Sequence, residues 1–539
     1  MLNNKKFDAI VIGAGLNGSW AAKELTENGL NVAVIDAGEK LTKEFFDISS
    51  QKNETDVFDA RQHLFRFKFL LKGDMNTALD KFIDARTKQI TVDNDQYPYE
   101  VSADKPFHWL RVRAVGGRGH LWGRVMIRFT DKEFRAAEID GHGINWPITY
   151  EDLKPYYEEV ETLLELGGQE SELKDFNDGV YLQERNLNEL ETLLKTSIQS
   201  KWSERNFVTI PVAGYAPGPV SPMLHAAMKT GLMTLIPDSA ATKIITCSNN
   251  GLAKGVSVVN TKTQEEFQLF SDILVVAASP FETVRLLLSS YSNRHPNGLG
   301  NSSSLLGTHI MEHVNCIFVA QLPSQLTKDV PQVPHNPFKL NNAPHGFYIP
   351  PFRHRETDNL EYSRCYGIQG VISPEQSGFY IGFCGETLPR IDNRVSINRN
   401  KLDKLGMPIP QIDFSWGDND LKMWKDQRNV GKEIIETFEQ AVDLPFKRRL
   451  TAQIHNFLRF NKPPTPGAAR HEGGGARMGD SPHTSVVNPY GRLWDSPNVL
   501  ICDASVFPSI GYQNSSLTSM ALCLRACRNL VKETNINSI

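Results

Sequence analysis

The sequence predicts an α/β protein of two domains, one on a parallel sheet that starts at the N-terminus and one of α+β type with an antiparallel sheet of about six strands. Three observations predict it. A chain of 539 residues exceeds what one hydrophobic core usually supports. Residues 7–36, FDAIVIGAGLNGSWAAKELTENGLNVAVID, read as apolar strand, glycine turn, helix and second apolar strand, the repeating unit of parallel sheets. Between about 310 and 416 six short apolar runs, CIFVAQL, GFYIPPF, CYGIQGVI, GFYIGFCGE, RVSIN and PQIDFSW, are separated by turn residues, the spacing of antiparallel strands.

The N-terminal unit carries chemistry as well as fold. Gly13, Gly15 and Gly18 fit G-x-G-x-x-G directly after the first strand, and Asp36 closes the second. Gly13 makes the tight turn, Gly15 lets backbone approach a pyrophosphate, and Gly18 lets helix and strand pack closely. The helix start then holds phosphates and Asp36 an adenosine ribose. This is a Rossmann-like dinucleotide site, and the triad alone does not separate NAD from FAD. FAD is favoured because the motif sits at the very N-terminus, no second such motif follows, and another strand ending in an acid returns at Asn498 to Asp503.

Along the chain, residues 40–95 are polar and irregular, with an aromatic-rich basic helix candidate at Phe58 to Lys72. Its bland reading is an amphipathic excursion packed on its own protein; the alternative is a membrane or partner contact. The loop RVRAVGGRGHLWGRVMIRF, 111–129, combines Gly116, Gly117 and Gly119 with His120, Leu121, Trp122, Arg113, Arg118 and Arg124, a composition suited to contact with a flat ligand. Thr149 and Asp152 cap an acidic helix over 147–166. Four short strands are expected from Thr234 to Ser279, with a turn at Asn249 to Gly251, and a helix over 418–442. The nucleotide domain is then discontinuous, 1–45, 96–130, 205–310 and 465–539. The substrate domain takes 131–204 and 311–464, and residues 46–95 are an insertion to which the sequence assigns no role.

Composition narrows the function. With 40% hydrophobic and 22% charged residues the chain is ordinary globular material, and a net charge of −4 with scattered basic residues argues against nucleic acid. No apolar run approaches a membrane span, and the N-terminus passes from MLNNKK straight into a strand, so no export signal is expected. Seven cysteines without a C-x-x-C pair favour reduced thiols and no metal site. Cys523 and Cys527 share one helix face.

The chemistry concentrates in HEGGGARMG, 471–479, and NVLICDASVFPSIGYQNSSLTSMAL, 498–522. A histidine leads a glycine run, a buried strand ends at Asp503, and a helix opens just after Asn514 and Ser515. One span delivers an imidazole, a carboxylate and an amide to one sheet edge. A neutral imidazole at His471 suits proton abstraction near neutral pH. Asn514 suits hydrogen-bond donation to a developing alkoxide without competing as a base. Each also has a purely structural reading, His471 as a residue before a glycine turn and Asn514 as a helix cap.

The GAGLNG unit, the loop AVGGRGHLWGR, LLGTHIMEH at 305–313, GETLPRIDNRVSIN at 385–398 and this C-terminal run together resemble the glucose-methanol-choline oxidoreductase family. Within it the resemblance is to the bacterial branch of pyranose oxidases and glucoside 3-dehydrogenases. It implies an FAD enzyme that oxidises a secondary hydroxyl of a sugar or glycoside to a ketone by hydride transfer to flavin N5. His471 would be the base and Asn514 its partner, with Gly13, Gly15, Gly18, Asp36, Gly116, Gly117, His120, Leu121, Trp122, Asp503, Asn514 and Ser515 around the cofactor. Ser515 stands where relatives commonly carry proline. Leu121 stands where the pyranose oxidase branch carries the histidine bonded to flavin, so noncovalent FAD is expected. His120, one place earlier, should aim away from the ring if this segment is extended. Rival readings are a lyase on the same scaffold or an electron-relaying subunit, and a small or cytochrome subunit is a possible partner. Oxygen, a quinone and a cytochrome all remain open as acceptor. The expected location is the cytoplasm, or the periplasm if a partner carries the export signal.

Overall fold

The computed structural model describes residues 6–46, 85–173, 176–215, 218–328, 346–353, 358, 360–375, 377–451 and 463–536. The helix candidate at Phe58 to Lys72 lies outside them. Five parallel strands form the central sheet, in the order Val499–Ile501, Ile273–Val276, Ala9–Ile12, Val32–Ile35, Met233–Ile236. Every residue of Ala9–Ile12 and Val32–Ile35 is buried, which is why these strands read as unbroken apolar runs. Helix Leu16–Glu27 leaves the glycine turn and packs against helices Pro222–Lys229 and Ser516–Ile536. The stretch expected as four strands holds five: the outer two join the central sheet, and Ser239–Thr246, Ala253–Asn260 and Glu266–Phe270 form their own antiparallel sheet.

The second sheet is antiparallel and has five strands, Ile317–Gln321, Gly378–Gly385, Tyr366–Ser373, Phe347–Ile349 and Val208–Thr209. Four of the six apolar runs supply it, and the fifth strand arrives from residues 208–209. The last two runs, Arg394–Leu402 and Pro408–Asp413, pair with each other and with Glu100–Val101 instead. Buried Arg285 anchors that hairpin to helix Pro280–Ser289, donating to Asp403 Oδ2 at 2.7 Å and to the Pro408 carbonyl at 2.8 Å. Alternation announces a strand but does not choose its partner. Helix Asp418–Ala441 covers the five-stranded sheet through a core that includes Phe318, Phe383, Ile434 and Phe438. Helix Tyr150–Leu163 starts with the expected reciprocal cap, Thr149 N donating to Asp152 Oδ2 at 2.8 Å and Asp152 N to Thr149 Oγ1 at 3.4 Å. No helix among the described residues is long and apolar enough to cross a membrane.

Candidate active site

A cavity of about 520 Å³ runs from the glycine turn of the parallel sheet to the face of the antiparallel sheet. Its first end is made largely of backbone. Gly13 has φ +100°, and a Cβ there would strike the Ala277 carbonyl. Gly18 does not reach the cavity; it is glycine because a Cβ would collide with the Gly13 carbonyl. Gly15 lines the cavity with nothing within 4 Å of where its Cβ would be. It also precedes helix Leu16–Glu27, which has no side-chain cap and no acid in its first turn. The helix's first N–H groups and positive end are thus left for an anion.

Asp36 closes this end. Its carboxylate accepts from Ala14 N and Gly38 N, each at 2.8 Å, and burial pushes its pKa up to about 6. Asp503 lines the cavity farther along, accepting from Thr283 Oγ1 at 2.5 Å and Ser505 N at 2.9 Å; burial raises its pKa too. Ser279, also on the wall, is held at φ +81°, a strained backbone for a residue with a side chain. An uncapped helix start, an open Cβ position at Gly15 and two acids along one cleft fit the phosphates, ribose and ribityl chain of FAD.

The other end is made of side chains. His471 Nε2 lies 3.4 Å from Asn514 Nδ2, and both residues line the cavity. Behind His471 stands His313, whose Nδ1 is 2.9 Å from His471 Nδ1 and whose Nε2 is 2.9 Å from the Gly511 carbonyl. The two rings meet edge to face at 83°. Burial, then His313, Arg118 and Arg470, holds the His471 pKa well below the usual imidazole value. Glu312, fully buried, accepts from the backbone N–H of both His313 and His471 at 3.1 Å. Burial and the neighbouring Glu472 carboxylate raise its pKa well above the ordinary value. Arg118 pairs with Glu472 and also donates to the Arg470 carbonyl at 3.1 Å. Ser515 is on the same wall. On the sheet face, Asn315 and Gln369 line the cavity, and their carbonyl oxygens are buried without a hydrogen-bond partner among the described residues.

The loop 116–123 corrects one expectation. Residues Gly117–Leu121 form a turn of 3-10 helix rather than an extended segment. Gly117, Leu121 and Trp122 line the cavity, while Gly116 and His120 do not. His120 Nε2 instead lies 2.8 Å from the Val115 carbonyl, in the space a Cβ on Gly116 would occupy. Its expected place beside the cofactor is therefore withdrawn, although its aim away from the cavity agrees with the expectation for a different backbone reason. Gly116 acts indirectly, donating its N–H to the Ala14 carbonyl at 3.0 Å and so seating the loop on the glycine turn.

Residues that sequence reasoning did not single out are His313, Glu312, Asn17, Gln369 and Asn315. Asn17 sits inside G-x-G-x-x-G and donates to the Cys502 and Ser519 carbonyls at 2.9 and 3.2 Å, tying the first helix to the last. Its polarity at a helix start was the available signal; His313 had none beyond its place in LLGTHIMEH. Among the described residues, two clusters of metal-ligand type also form where the sequence gave no metal. His313, Cys384 and His471 are one, Cys502, Cys523 and Cys527 the other, each with ligand atoms within 4.8 Å of one another.

Comparison with known proteins finds relatives along the whole chain. A family model described as GMC oxidoreductase matches residues 389–523. The chain is 24% identical to 2-methyl-1,2-propanediol dehydrogenase of Mycolicibacterium austroafricanum, over 96% of this chain and 94% of that one. It is 22% identical to the fructose dehydrogenase large subunit of Gluconobacter japonicus, over 98% of each. Among solved structures it is similar to formate oxidase of Aspergillus oryzae RIB40, from work on FAD modification, with a TM-score of 0.67, 15% identity and 100% of both chains covered.

Proposed function

We propose, from the match to the GMC oxidoreductase family model over residues 389–523 and the likeness to two dehydrogenases over nearly the whole chain, that this GMC-type chain oxidises a secondary hydroxyl of a sugar or glycoside to a ketone, with noncovalent FAD as cofactor. The observation that carries this reading is the one cavity shared by Gly13, Gly15 and Asp36 at one end and His471 and Asn514 at the other. FAD, when bound, supplies the acceptor for the substrate's hydride. The chain's own residues do the rest.

His471 Nε2 takes the hydroxyl proton, and Asn514 Nδ2 donates to the oxygen as negative charge develops on it. The unpartnered carbonyl oxygens of Asn315 and Gln369 accept from other hydroxyls of the substrate. A polyhydroxylated substrate is the class that satisfies them, and relatives named for a diol and for fructose support that class. Leu121 lines the cavity with hydrocarbon and His120 is engaged elsewhere, which supports FAD held without a covalent bond. Acid precipitation should leave a yellow supernatant and a white pellet; a yellow pellet overturns this point. A relative named as a large subunit keeps a partner protein in the proposal, with oxygen, a quinone or a cytochrome as final acceptor.

The experiment is anaerobic mixing of the FAD-loaded protein with a panel of sugars and glycosides. Direct bleaching of the flavin by one of them is the expected result. Turnover of a substrate without bleaching would favour a lyase, and bleaching only through a partner protein would favour an electron-relaying subunit.

A further inference from the structure

We infer that His313 is a positioning residue that keeps the single proton of neutral His471 on Nδ1, leaving Nε2 bare and facing the cavity as the base. The inference deepens the proposed function and rests on it. Gly511 supplies the fixed point. A carbonyl oxygen can only accept, so His313 Nε2, 2.9 Å from the Gly511 carbonyl, carries a proton. The residue is held in place: Gly511 N donates to Glu386 Oε1 at 3.2 Å, and Glu386 accepts from buried Arg364 at 2.5 Å. Arg364 in turn pairs with Asp140. Gly511 has φ +63°, a conformation that suits glycine.

His313 is 1% exposed, and burial pushes its pKa down to about 4, so at neutral pH it holds one proton only. With that proton on Nε2, its Nδ1 is a bare acceptor. His471 Nδ1 lies 2.9 Å away and must donate to it. His471 is also neutral, because its pKa is lowered as well, and its one proton is thereby spent on Nδ1. Nε2 keeps its lone pair, directed to the side where Asn514 Nδ2, a donor, stands at 3.4 Å. Glu312 holds the register, since a single oxygen accepts from both histidine backbones.

The opposite tautomer would place two N–H groups face to face at Asn514 and offer the substrate no base. In the forward step the substrate O–H bond breaks and an Nε2–H bond forms. No proton passes on to Gly511, whose carbonyl is already occupied. Such an orienting partner affects rate more than substrate affinity.

The test has two arms. Nitrogen-15 NMR of the FAD-loaded wild type, with histidine labelled, should show His471 protonated at Nδ1 and bare at Nε2. A proton on Nε2 of wild-type His471 overturns the inference without any variant being made. The second arm measures anaerobic flavin reduction by whichever of D-glucose, D-fructose and methyl α-D-glucoside bleaches the wild type. His313→Leu should lower the limiting rate about ten- to a hundredfold with little change in substrate Kd. His313→Gln, able to accept from His471 and donate to Gly511, should recover most of the loss. A wild-type rate in His313→Leu overturns the inference, as does a Gln variant no better than Leu. His471→Asn separates the two levels. If it too reduces normally, the base assignment itself fails; if it alone is dead, only the role of His313 does.

Discussion

On one wall of the cavity the chain presents backbone from a single contiguous segment, residues 13–36, with a glycine loop laid against it. On the other wall it presents side chains gathered from positions 315, 369, 471 and 514, with Glu312 and His313 bonded to His471 behind it. On the proposed reading the first wall recognises a ligand part whose chemistry is fixed, phosphate and ribose, and it offers amide N–H groups and room for it. The second must move a proton, so it needs titratable groups whose pKa and tautomer are set by burial and neighbours. The two walls should therefore fail in different ways. Damage to the backbone wall should appear as lost cofactor, and damage to the side-chain wall as slow chemistry with the cofactor in place.

The largest expected effect is at Gly13. Gly13→Val puts a branched side chain at φ +100° against the Ala277 carbonyl, and the purified protein should be colourless and less stable by about 1–3 kcal/mol. Gly15→Ala sharpens the point because a Cβ there meets nothing in the protein. Its melting temperature without cofactor should be unchanged, while FAD affinity falls about tenfold or more, a loss of about 1.4 kcal/mol. Equal FAD affinity by fluorescence titration would remove the phosphate from that turn.

Next comes His471→Ala, which should keep its yellow colour and lose flavin reduction by on the order of a hundredfold or more. Normal reduction would reassign the base, and loss of the flavin would erase the contrast between the walls. Asn514→Ala should slow reduction on the order of tenfold or more with little change in melting temperature. A cap alone would instead cost about 1 kcal/mol of stability and leave the rate intact.

The smallest expected effect is a flat line. An ordinary imidazole gains its second proton as pH falls through about 6.5. In His471 burial, His313, Arg118 and Arg470 all disfavour that proton, so the folded pKa is lower and the basic form persists to more acid pH. Stopped-flow reduction at saturating substrate should therefore hold level from pH 8 down through 6.5. A fall centred at 6.5 would mean that His471 is solvated, or that another base acts.

The local features were legible in the sequence because each is decided within a few residues. A strand, a turn that demands positive φ at Gly13, a helix start and an acid at Asp36 follow one another in 30 residues. The cap of Thr149 and Asp152, and the strand Val499–Ile501 that leads to Asp503, are read over similarly short spans. What only the tertiary structure decided is pairing at a distance. The runs at 394–402 and 408–413 are strands by alternation, yet Arg285 and the strand at 100–101 draw them out of the large sheet. His120 is turned from the cavity by a helical turn that a glycine-rich string does not announce. His313 and His471 are 158 positions apart, and neither residue's surroundings in the chain mention the other. Their contact exists because the glycine run after His471 pairs with Met311 through Gly473, and Gly511 closes behind His313. Propensity and φ requirements act along the chain and can be read there, whereas burial, tautomer and pKa depend on what the packed sheets bring within 3 Å.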